Sequence, residues 1–168
     1  VSTGNAAQRR TLGALIDTLV PDDEYGPGGL AAGADVYVAR LLLGNQHTAG
    51  MYRENLAALD SYAQDRYGGQ FAELDAEDRT NTLRAVEDGT ASGPFVPDAA
   101  TFFAMAHHHM LEGMFGDPVH GGNRQLIGWK LLGYRGIKPI ASAEDQRLGA
   151  PPEQPIRSRA DFPREMSR

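Results

Sequence analysis

Cysteine is absent from the 168 residues, which removes disulfides, thiolate metal sites, a cysteine nucleophile and covalent haem attachment through Cys-x-x-Cys-His. Any redox cofactor is therefore expected on a partner, and none in this chain. No apolar run approaches the roughly 20 residues that span a bilayer. Basic charge is in short supply: 16 Lys and Arg face 22 Asp and Glu, a net charge of −6. Nucleic acid and anionic membrane surfaces reward clustered cations, so neither is expected as a partner. Also missing are a Gly-x-Gly-x-x-Gly turn after a strand, a phosphate-binding loop and a nucleophile elbow around any serine, so the chain should neither bind its own dinucleotide nor act as a serine hydrolase. Catalytic residues are not expected. The chain opens at Val1 without a charged-then-apolar leader, and the expectation is a mature form from which a signal peptide has been cut.

What is present suits one compact domain with a tail: 41% of residues are apolar. Leu12, Leu15, Ile16 and Leu19 fall at helical spacing over residues 5–20, and Pro21 ends that helix. Residues 21–29, Pro-Asp-Asp-Glu-Tyr-Gly-Pro-Gly-Gly, combine breakers with three carboxylates and read as an exposed turn. Their spacing lacks the alternating oxygen ligands of a calcium loop. Asp17, Asp22 and Glu24 would serve as paired carboxylates only if a pocket desolvated one of them. Further helical stripes follow over 30–43 (Ala34, Val38, Leu41, Leu42), over 48–67 (Tyr52, Leu56, Leu59, Ala63) and after Asp75 (Leu83, Val86). Asp98 then caps a helix carrying Phe102, Phe103, Ala106, Met110 and Met114. With no two-residue alternation anywhere, the expected fold class is all-α, a bundle of five to six helices over residues 1–133.

The densest punctuation lies at Gly113-Met-Phe-Gly-Asp-Pro-Val-His-Gly-Gly-Asn123, with further glycines at 128, 133 and 136 around the single tryptophan, Trp129. Gly121 and Gly122 allow a positive φ or a close backbone approach. Asn123 is placed to cap a helix over Arg124–Leu132 that Gly133 would end. Trp129 is expected either in the core or at a contact. Beyond it, residues 134–168 hold five of the ten prolines and 7 basic against 5 acidic side chains, net +2, leaving −8 on residues 1–133. Such a segment buries too little to fold alone and is expected to be an extended arm wrapping a partner.

One cluster could hold a metal. His108 or His109 with Glu112 has the right helical spacing, and Asp117 or His120 would complete the set. Consecutive histidines, His107 to His109, point about 100° apart and do not form a zinc signature. Tyr25, Trp129 and Tyr134 could stack on a sugar.

The run Glu112–Asn123, together with Gly128-Trp129-Lys130, Gly133-Tyr-Arg-Gly136 and the block Leu15–Gly29, resembles the gluconate 2-dehydrogenase subunit 3 family. His120, where many members have an aromatic, and the histidine run depart from that pattern. The resemblance implies a small, non-catalytic subunit of a membrane-associated or periplasmic bacterial FAD-dependent sugar or polyol dehydrogenase, whose catalytic partner is of the glucose-methanol-choline type. It implies a multihaem cytochrome c as a further partner, leaves room for an iron–sulfur cluster and c-type haems elsewhere in the complex, and implies export by the twin-arginine route to the periplasm with this chain as escort. The expected partner surface is Tyr25, Phe115, Asp117, Pro118, His120, Gly121, Gly122, Asn123, Trp129, Tyr134 and Arg135. The alternative is a stand-alone helical metalloprotein or hydrolase using His107 to His120. A third option is a self-associating structural protein.

Overall fold

The computed structural model describes residues 6–138, 140, 143, 148–149 and 155–162. Six α-helices carry the described chain, with no strand beyond two isolated bridges. Helix α1, Ala6–Leu19, turns Leu12, Leu15 and Ile16 inward and stops before Pro21. Helix α2, Ala34–Gly44, starts four residues later than the stripe suggested, because Gly33 at φ 77 takes the N-cap position. In α3, Gln46–Tyr67, the Asn45 side chain accepts from the Thr48 amide at 3.0 Å, and left-handed Gly68 closes the last turn. The same cap chemistry starts α4, Ala76–Glu87, at Asp75 and α5, Ala99–Phe115, at Asp98. The Asp98 carboxylate accepts from both the amide and the hydroxyl of Thr101 at 2.8 Å, and those bonds hold its pKa below the usual carboxylate range. Helix α6, Ile127–Leu131, is a short final piece.

The apolar stripes meet in one core of Leu15, Ile16, Val38, Tyr52, Leu59, Val86, Phe102 and Met110. Phe102 sits at its centre, with its ring 6.1 Å from Tyr52 edge-on and 6.3 Å from Phe95. A ring that loses all contact with water contributes about 1.5–3 kcal/mol. Helix α5 packs along both α2 and α4, and near its C-terminal end, where the glycine-rich loop begins, Gly113 lies against Ala34 and Tyr37 of α2.

Two parts of the core lie outside the apolar stripes. Phe71, on a single 3₁₀ turn at Phe71–Glu73, is fully buried. Its amide donates to Asp60 Oδ1 at 3.2 Å while the Thr11 hydroxyl donates to Asp60 Oδ2 at 2.9 Å, and burial pushes the Asp60 carboxyl above its ordinary pKa. Asn55 is fully buried on α3 and forms a reciprocal pair with Val96: Nδ2 donates to the Val96 carbonyl at 2.8 Å and Oδ1 accepts the Val96 amide at 2.9 Å. That pair fastens the loop before α5 to the long helix, satisfying groups that would otherwise be costly to bury.

In the expected arm, residues 139, 141–142, 144–147, 150–154 and 163–168 lie outside the described residues. The described parts return to the domain. Tyr134 packs edge-on against Trp129 at 5.0 Å, so packing continues past residue 133. Further on, the Ile137 amide donates to the Arg157 carbonyl at 2.8 Å, and the Arg159 amide donates to Asp117 Oδ2 at 2.8 Å.

Candidate functional site

The loop after α5 is built by backbone meeting backbone. At Gly122 a Cβ would run into the carbonyl of Gly113, and at Gly128 it would run into the carbonyl of Met114. Only glycine lets the returning chain lie this close to the end of α5. Gly121, at φ 107, supplies the left-handed turn just before the contact. The Asn123 amide then donates to the Gly113 carbonyl at 2.7 Å, and the Arg124 amide donates to the Ala32 carbonyl at 2.7 Å.

Asn123 holds this arrangement together. It is fully buried and left-handed, at φ 45. Its Nδ2 donates to the Gly116 carbonyl at 2.9 Å, and its Oδ1 accepts the Gly128 amide at 2.9 Å. The expected helix over Arg124–Leu132 does not form as one piece. A 3₁₀ turn at Arg124–Leu126 places Gln125 at φ 54 and Leu126 at φ 61, and the α-helix begins only at Ile127. The long-range bonds of Asn123 and Arg124 fix the path of the chain, and local helix propensity gives way to them. Asn123 does satisfy an orphan amide near a helix start, but it is that of α6, reached across the turn. Gly133, at φ 65, ends α6 as its position suggested.

Of the two places expected for Trp129, the structure selects the core: it is 5% exposed and its Nε1 donates to the Phe115 carbonyl at 2.7 Å. Gly122, Asn123 and Trp129 thus shape the surface from beneath and do not present side chains to it. Tyr25, Pro118's neighbour His120, Tyr134 and Arg135 are exposed, whereas Phe115, Asp117, Pro118 and Gly121 are half-buried.

The candidate metal ligands do not converge, and among the described residues no group of three or more His, Asp or Glu is placed to hold an ion. His108 Nε2 lies 3.2 Å from Glu112 Oε1, while Glu112 Oε2 accepts the Tyr37 hydroxyl at 2.8 Å. Burial and that carboxylate push the Tyr37 hydroxyl up to about 12. His109 turns the other way: its Nδ1 meets the Tyr52 hydroxyl at 3.0 Å, with the two rings stacked at 5.8 Å. Burial lowers the His109 pKa, against a smaller opposing pull from Glu112. Asp117 is committed to the Val119 amide at 3.0 Å and the Arg159 amide, and His120 stands exposed. His107 stacks on Phe103 at 5.9 Å. Tyr37 and Tyr52, which complete these contacts, could be found only from the pairing of α2 and α3 with α5.

The acidic turn is exposed, as its composition suggested, and its aspartates also build it. Asp22 Oδ1 accepts the Gly28 amide, and Asp23 Oδ1 accepts the amides of Tyr25 at 2.8 Å and Gly26 at 3.2 Å. One oxygen of each carboxylate is thereby committed to backbone amides, while Asp17 lies back on α1 with its Oδ2 3.6 Å from Arg79 and Glu24 is exposed. Between this turn and α6 lies a cleft of about 390 Å³ lined by Leu19, Val20, Tyr25, Met114, Phe115 and Leu131. Sequence spacing gave no sign of it, since its walls come from three distant segments.

A family model described as gluconate 2-dehydrogenase subunit 3 matches residues 6–136, a span that takes in all six α-helices and the whole glycine-rich loop. No curated protein and no solved structure matches the chain.

Proposed function

The chain belongs to the gluconate 2-dehydrogenase subunit 3 family, and from that premise we propose that it is the non-catalytic small subunit of an FAD-dependent sugar or polyol dehydrogenase. The family name describes a subunit of a gluconate 2-dehydrogenase complex, which implies a catalytic partner chain. In this reading the partner is a flavoprotein of the glucose-methanol-choline type that carries the FAD. A multihaem cytochrome c, and any iron–sulfur cluster, would complete the electron path in other chains. No described helix is long and apolar enough to cross a membrane.

The observation that carries the reading is the contrast between a loop whose polar groups are satisfied internally and the large apolar side chains left outside it. Tyr25 is 83% exposed and shares the cleft with Leu131, and Leu132 and Tyr134, just beyond α6, are 64% and 47% exposed. Clustered exposed apolar residues on a rigid frame mark a protein contact. Binding only the folded flavoprotein would stabilise it by mass action, which is how the chain would act as an escort through twin-arginine export to the periplasm.

The test is purification of the chain, tagged at its C-terminus, from its native host, followed by mass spectrometry and an absorption spectrum. A co-purifying flavoprotein in fixed ratio is expected. Recovery of the chain alone as a stable monomer overturns the proposal.

A further inference from the structure

We propose that the cleft between the acidic turn and α6 is the anchor point of the catalytic partner, and that it receives a bulky apolar side chain flanked by Lys or Arg. This rests on the reading of the chain as a flavoprotein subunit and adds where, and by what chemistry, the two chains engage.

Four features of the cleft select that occupant. Its floor is the half-buried and buried apolar surface of Leu19, Val20, Met114 and Phe115, and its volume of about 390 Å³ lies within the 300–1,000 Å³ usual for binding pockets. It is preformed. Asp22 and Asp23 fix the turn, and at its tip Gly26 touches Leu131 so closely that a Cβ there would meet Leu131 Cδ2 at 2.5 Å. A cleft that needs no ordering loses less free energy on binding. Its rim is apolar and exposed, with Tyr25 on the turn and Leu131 at the end of α6. The turn beside it is acidic: Asp23 lines the cleft, its neighbours Asp22 and Glu24 are exposed, and none of the three forms an ion pair among the described residues. Helix α6 itself adds one cation, Lys130. An apolar anchor with a Lys or Arg beside it, on the side of the turn, satisfies both the floor and the acidic edge, and steers the encounter as well.

The test places the photo-crosslinking residue benzoylphenylalanine at position 25 of the tagged chain and, as a control on α3, at the exposed position 54, with each complex purified from the native host and illuminated. Position 25 is expected to capture a peptide of the flavoprotein that holds a bulky apolar residue flanked by Lys or Arg; position 54 is not. Glu24→Lys is then expected to weaken the complex roughly twofold to tenfold, and reversing the captured Lys or Arg to Glu in the partner is expected to restore it. The inference is overturned, with the subunit reading intact, if the flavoprotein co-purifies but position 25 captures nothing, a second copy of this chain, or a peptide without Lys or Arg. If no flavoprotein co-purifies with any version, the subunit reading falls and takes the inference with it.

Discussion

The helical body and the glycine-rich loop are held by opposite means. In α1 to α5 side chains interdigitate, and Phe102, Tyr52 and Leu59 exclude water from one another. In residues 113–133 backbone meets backbone: Gly113, Gly116, Gly122 and Gly128 approach through carbonyls and amides, and the Asn123 and Trp129 side chains fasten that approach by bonding to the backbone. Packing of the first kind tolerates a change of shape at a cost in proportion to volume. Contact of the second kind has no slack, because a single methyl group occupies the space of a backbone atom.

That contrast is broken or sharpened by graded substitutions. Phe102→Ala should lower global stability by about 3–5 kcal/mol, read as a shifted denaturant midpoint for the entire helical signal. Asn123→Ala strands the Gly116 carbonyl and the Gly128 amide, at about 1–3 kcal/mol each. Its expected signature is local: hydrogen exchange should quicken at Gly128 and Arg124 while the circular dichroism of the helices is kept. Loss of all helical signal with Asn123→Ala would show that loop and body are one unit. A smaller effect is expected at His109. Its folded pKa lies below the ordinary value near 6.5, so as pH falls through that value the unfolded chain takes up a proton that the folded chain refuses. Stability should therefore drop between the ordinary and the lowered pKa, and denaturation of His109→Gln across that range should show a flatter slope. Glu24→Lys, on the exposed turn, should change folding stability by less than about 0.5 kcal/mol while still weakening the complex.

The body was legible in the sequence because its information is local. The 3.6-residue stripes placed Leu12, Val38, Leu59, Val86 and Phe102 inward, and the Asp75 and Asp98 caps marked two helix starts correctly. Phe71 and Asn55 escaped because their partners, Asp60 and Val96, are specified by how helices cross and not by spacing. In the loop, composition revealed a fixed turn and a left-handed Gly133. It did not reveal that Gln125 and Leu126 would be left-handed too, since the cause is the pull of the Gly113 and Ala32 carbonyls from far along the chain. Of the candidate ligands, His108 and Glu112 do meet, as their spacing suggested, but His109 turns to Tyr52 on α3, Asp117 to the Arg159 amide, and His120 stands exposed. The cleft was illegible for the same reason: Leu19, Tyr25, Phe115 and Leu131 share a wall only after the chain has folded.

The central claim is that the loop end of a stable helical body grips a flavin-bearing partner, and the most direct measurement compares the tagged wild-type chain with Asn123→Ala in purification from the native host, reading flavin absorbance per mole of chain. The account predicts a fixed flavin ratio for the wild type and a marked loss for Asn123→Ala, with the helical circular dichroism of the variant retained. Flavin absent from the wild-type preparation, or present in full with a variant whose loop has opened, would contradict it.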